Sequence, residues 1–247
     1  MGGRSGAGEI LALYLGELDE LGRRARLQLA DAGERGDVYV ATSISTALSN
    51  LAWLAAGDID SARRHALEGE RRWTRRGFHL QHYWGLLSSA HADLYVGDAA
   101  AALKLIRARW PALQASLLMR VQVVACEALH LRARACLAAG ELGAAAHDAG
   151  ALDALDAAHA PALAALVHAG LAARKGDFAR ASATLAAAAP RLDGVGMALH
   201  ARAADHARGV LTGQSALSDR ASSWMRAHGV AEPAALTALL IPGCGLA

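Results

Sequence analysis

Aromatic residues are scarce: five Trp, four Tyr and two Phe stand among 247 residues. A chain that is 54% apolar yet only 4% aromatic fills its core with aliphatic side chains, and alanine supplies most of them. Alanine is the strongest helix former and lets helices pack closely, so the composition predicts an all-α fold. Cysteine is nearly absent as well. Cys126 and Cys136 fall ten residues apart on one expected helix, about 15 Å along its axis and too far to bridge. Cys244 stands alone near the end. So sparse and odd a set gives no metal framework and suits a reducing compartment.

Long apolar runs are missing too. The alanine- and leucine-rich stretches 160–173 and 233–247 fall short of the ~18–20 residues a membrane span needs. The start, Met1-Gly2-Gly3-Arg4-Ser5-Gly6-Ala7-Gly8, has no apolar core behind a basic end and so is not a secretory signal. Cytoplasmic residence, with no membrane partner, is the expectation. A net charge of +2 argues against a pervasive basic face for nucleic acid. Chemistry finds no foothold: no Gly-x-Ser-x-Gly, His-Glu-x-x-His, Cys-x-x-Cys, Walker loop or dinucleotide fingerprint occurs. His130, His147, His159, His168, His200 and His228 are scattered singly on expected helices, without a partner at fixed spacing. The residues therefore predict no enzyme, no cofactor and no metal.

What is present is a repeat. Gly16-Glu17-Leu18-Asp19 leads through Arg23 and Ala25 to Arg35-Gly36, and a shift of 41 residues reproduces it as Gly57-Asp58-Ile59-Asp60, Arg64, Ala66 and Arg76-Gly77. Later blocks restart at Gly97-Asp98, Gly140-Glu141, Gly176-Asp177 and Gly213-Gln214, at spacings of 40, 43, 36 and 37 residues. In each, an apolar helix ends at the glycine and a second helix follows, with alanine five positions on: Ala62, Ala102, Ala145 and Ala181. Seven positions before the glycine stands another small residue, Ala90, Ala133 or Ala169, with Asn50 and His206 departing from the rule. Small residues there let paired helices approach, glycine permits the turn, and the acid favours the positive helix start. The pattern resembles the tetratricopeptide repeat with a longer period. It implies a right-handed α-solenoid of antiparallel helix pairs: a disordered start over 1–8, about five to six pairs over 9–230 with the first truncated, and a capping tail over 231–247.

The most aromatic stretch, Trp73 to Trp84, reads as a joint in which one helix ends, Gly77 turns and the next begins, with Trp73, Phe78, Tyr83 and Trp84 plugging the corner. Helices are expected over 38–56, 59–76, 79–96, 99–109 (stopped before Trp110-Pro111), 117–139 and 142–156. The block 161–189 closes at Pro190, and a last hairpin covers 197–228. Helix 38–56 puts Thr42, Ser43, Ser45, Thr46, Ser49 and Asn50 on a face expected to meet solvent. Helix 59–76 carries six arginines: Arg63, Arg64, Arg71, Arg72, Arg75 and Arg76. His79 and His82 share one face of their helix with Ser89 and Asp93, and for the two histidines corner hydrogen bonds are expected.

Runs such as Arg35-Gly36-Asp37-Val38-Tyr39-Val40-Ala41-Thr42, Asn50-Leu51-Ala52-Trp53-Leu54-Ala55, Arg76-Gly77-Phe78-His79-Leu80-Gln81-His82-Tyr83 and Arg109-Trp110-Pro111-Ala112-Leu113 resemble the C-terminal region of large bacterial serine/threonine protein kinases. There a kinase domain is followed by a nucleotide-binding signalling ATPase module and then a helical-repeat sensor. The likeness covers about residues 10–135. The glycine-rich loop, the lysine strand, His-Arg-Asp and Asp-Phe-Gly are all missing, so no catalytic residue carries over. The resemblance implies a non-catalytic regulatory module whose concave face, lined by the first helices, binds a protein or peptide segment, a kinase or ATPase module among the possible partners. The candidate contacts are Thr46, Asn50, His79, His82, Ser89 and Asp93. The alternatives are a transcription-linked or nucleic-acid-associated regulator using the arginine helix, and a detached gene fragment without independent function.

Overall fold

The computed structural model describes residues 16–46, 48–74 and 76–245; the glycine-rich start, the half-helix expected over 9–15, Arg75 and the last two residues lie outside them. The described chain is all-helical. A first group comprises α1 (Leu18–Arg35), α2 (Val38–Thr46), α3 (Leu51–Ala55), α4 (Ile59–Arg72), α5 (Leu80–Tyr95) and α6 (Ala99–Ala115). Then follow α7 (Gln122–Ala138), α8 (Leu142–Asp153), α9 (Ala160–Arg174), α10 (Phe178–Gly194), α11 (Ala198–Thr212), α12 (Ser215–Ala227) and α13 (Pro233–Leu240). Most helices pack on their neighbours in sequence, α2 packs on α1, α4 and α5, and α7 also meets α5 and α9.

The block chemistry determines the pairing. Gly57, Gly97, Gly140 and Gly176 all adopt φ between +78° and +82°, a left-handed conformation that side chains resist. The acid that follows caps the next helix: Asp58, Asp98 and Asp177 accept from the backbone N–H groups of Ser61, Ala101 and Arg180 at 2.9–3.0 Å. Glu141, one methylene longer, makes no such cap and pairs with Arg107. The paired alanines Ala62, Ala102, Ala145, Ala181, Ala90, Ala133 and Ala169 are all completely buried. Asn50 fills the small-residue position differently, donating through Nδ2 to the carbonyls of Ser45 (2.8 Å) and Ala62 (3.0 Å).

Several expectations need correction: the helix expected over 59–76 ends at Arg72 with Trp73 extended, and the one expected over 117–139 opens with a 3-10 turn, Leu117–Arg120, ahead of α7. The helix over 38–56 is broken by a 3-10 turn, Leu48–Asn50, and its Ser/Thr face is inside: Thr42, Ser45, Thr46, Ser49 and Asn50 are all buried. The hydroxyls make this tolerable by bonding carbonyls of the same segment, Thr46 to Thr42 and Ser49 to Ile44. Meanwhile α6 runs through Pro111 to Ala115 and α10 through Pro190 to Gly194. Each proline forfeits one backbone bond, and the burial of Trp110 and Leu113 on α6, and of Leu192 on α10, outweighs it. Trp110 also lies 3.7 Å from the Arg132 guanidinium, which forks onto buried Asp148.

By length and composition 38–55 could cross a membrane; three quarters of it is buried within the fold.

The tail docks across α5, α9 and α11. Helix α13 packs on α5, α11 and α12. Just before it, Ala231 N–H donates to Ala55 O at 2.7 Å; just after it, the Pro242 carbonyl presses on Gly170 of α9. Trp224 of α12 lies against Gly16, and Gly229 against Asp19. The last hairpin therefore meets the first described helix, and Leu18 and Leu21, which an open end would expose, are buried.

Candidate functional site

Beneath the tail lies a buried polar cluster built from separate helices. His91 comes from α5, Glu127, His130 and Arg134 from α7, and His200 from α11; together they line a cavity of about 40 Å³ closed by Leu240. Arg134 is 3% exposed and has no ion pair among the described residues. Its guanidinium donates to Leu239 O at 3.0 Å and reaches His91 Nε2, also at 3.0 Å. Burial and the neighbouring Arg134 hold His91 and His130 well below the usual histidine range, and His200 down to about 3. Burial lowers Arg134 itself to about 10. Tyr83 donates to Glu127 Oε2 at 3.3 Å. Glu127 is half-buried at its edge, and the contacts of Arg134 join the tail to α5 and α7.

A wide opening lies at the aromatic joint. There the end of α4, the corner 73–79, the start of α5 and the end of α6 enclose a cleft of about 1090 Å³. Leu67, Phe78, Leu80, Leu117 and Leu118 line it, with Ala112 and Ala115 between them. Leu117 is 69% and Leu67 48% exposed. Glu70, Arg71, Thr74, His79, His82 and Arg109 supply the polar lining, Glu70 ion-paired with Arg109.

His82 organises this corner. Its Nδ1 accepts from His79 N–H at 3.0 Å and its Nε2 contacts Thr74 O at 2.9 Å, an arrangement that selects the neutral tautomer protonated on Nε2. Burial lowers its pKa, and Phe78 stacks on the ring at 5.6 Å. Trp73 Nε1 donates to His79 Nδ1 at 3.3 Å and packs on Tyr39.

The six sequence candidates are thus divided. His79 and His82 meet at the cleft. Asp93 accepts from Arg63 at 2.9 Å, with Ser89 half-buried on the same helix. Thr46 and Asn50 lie in the core and face no solvent, because α2 is enclosed by α1, α4 and α5. Arg109 and Leu117 were missed, and Arg71 entered only as part of the arginine helix; a helix running through Pro111 brings the end of α6 to the corner.

Comparison with known proteins finds no matching family model, no matching curated protein and no matching solved structure.

Proposed function

We propose that this chain is a non-catalytic interaction module, an α-solenoid of tetratricopeptide-like pairs that receives a peptide segment of a protein partner in the corner cleft. The observation that carries the reading is the exposed leucine floor of that cleft, with a polar rim held in place by the His82 bonds. A groove of this kind suits the apolar face of a short helix. The inner face is the weaker candidate, because the tail lies on it. The likeness of residues 10–135 to the sensor arm of bacterial serine/threonine kinases supports a regulatory role in which a kinase or ATPase module is one such partner.

The test is a chemical-shift titration of the isotope-labelled protein with leucine-bearing amphipathic 16-residue peptides. The reading expects perturbed amides over 67–82 and 109–118. Perturbation along α13 and the inner helices, or none at all, sinks it.

A further inference from the structure

Resting on the interaction reading, we infer that the cleft selects an acidic amphipathic helix. Its lining carries two arginines against one carboxylate, and that carboxylate is occupied: Glu70 pairs with Arg109. Arg71, on the cleft wall, is exposed and makes no ion pair among the described residues. Arg76 precedes the lining residue Gly77 and Arg120 stands two positions after Leu118; both are exposed and likewise make no ion pair among the described residues. The other arginines of α4 each have a partner: Arg63 is ion-paired with Asp93, Arg72 lies near Glu68, and Arg64 donates to the Ser61 hydroxyl. Unpaired positive charge at Arg71, Arg76 and Arg120 thus lies in or beside a cleft that leaves Leu67 and Leu117 uncovered.

The apolar floor decides the partner's class. A nucleic-acid groove presents aromatic rings for base stacking or follows a phosphate path, whereas here Phe78 is stacked on His82 and the floor is aliphatic. A helix bearing leucines at i, i+3, i+4 and i+7 covers that floor, and carboxylates flanking its stripe meet Arg71, Arg76 and Arg120. Complementary charge at such a rim governs encounter and orientation, while the leucines supply the burial.

The experiment uses fluorescence anisotropy with the full chain and two labelled 16-residue peptides that share one leucine stripe, one carrying glutamate and the other lysine at the remaining positions. The expected result is binding of the glutamate peptide at least tenfold tighter than the lysine peptide. Arg71→Glu with Arg120→Glu then weakens the glutamate peptide at least tenfold, and Leu117→Asp abolishes its binding. All three positions are exposed, and an unchanged thermal midpoint verifies each variant's fold, with Leu67→Asp as the second apolar probe. Equal binding of the two peptides, both lost in Leu117→Asp, keeps the cleft as the site and overturns the charge selection. No binding, or binding indifferent to Leu117→Asp and Leu67→Asp, overturns both readings. Displacement of the glutamate peptide by a 20-nucleotide single strand, sensitive to Arg71→Glu, overturns the inference in favour of nucleic acid.

Discussion

Arg134 on α7 donates to the carbonyl oxygen of Leu239 at 3.0 Å, a bond that spans 105 positions of the chain. A buried guanidinium loses its hydration, and here backbone carbonyls and the His91 ring replace it. The tail is thus held by its main chain as well as by Leu236, Leu239, Leu240 and Ile241, all buried.

Arg134→Ala leaves the Leu239 carbonyl and His91 Nε2 without this donor and opens a cavity. The expected loss is about 3 kcal/mol of unfolding free energy, read from urea denaturation. A change below about 0.5 kcal/mol means the guanidinium does not anchor the tail.

Gly170 has no room for a side chain: a Cβ there overlaps the Pro242 carbonyl oxygen and Leu137 Cδ2. Gly170→Ala is expected to cost about 1–3 kcal/mol despite alanine's better helix propensity, and to speed amide exchange over 236–241. Stabilisation by the substitution refutes this close approach of tail and α9.

His91, His130 and His200 each have a folded pKa depressed by burial and Arg134. The unfolded chain therefore takes up these protons first. Stability is undiminished above about pH 6.5 and falls as the pH drops below it, His200 contributing down to about 3. Each histidine adds a slope of up to about 1.4 kcal/mol per pH unit. Glu127 faces the same cavity and Tyr83 bonds to it. Urea midpoints between pH 8 and 4 measure the slope; a flat profile from 6.5 to 5 contradicts burial of the trio.

All three cysteines are free and buried. Burial pushes Cys126 and Cys244 up to about 12 and Cys136 to about 11, so thiolate is scarce at neutral pH. Ellman's reagent is expected to label none in the native protein and all three in urea. Selective native labelling of Cys244 reports opening of the tail.

Asn50→Ala removes the two bonds to Ser45 and Ala62 and is expected to cost about 1–3 kcal/mol. Peptide affinity at the cleft stays unchanged. Weakened affinity at intact stability restores Asn50 as a contact residue.

The joint at Trp73–Trp84 was legible because Gly77 and the flanking aromatics are local signals. Its cleft was half legible: His79 and His82 stand three apart at the start of one helix, whereas Arg109 sits on a helix that continues through Pro111 and Leu117 on the turn just beyond it. The buried cluster left a fainter trace. Six residues before successive turn glycines stand Leu51, His91, Arg134, Gly170 and Ala207, a register in which His91 meets Arg134 and Gly170 takes the tail. Block comparison shows that this column is not repetitive, yet not that a distant carbonyl answers Arg134.

The sequence by itself determined the helices, their turns and their pairing, because alanine content, the turn glycine and the capping acid act within a few residues of one another. Only the tertiary structure decided that the Ser/Thr face turns inward, that α6 and α10 pass through their prolines, and that the tail crosses the inner helices to meet the first. Those outcomes depend on burial and on hydrogen bonds between residues tens of positions apart, and the energy of such contacts exceeds the local preferences that the sequence displays.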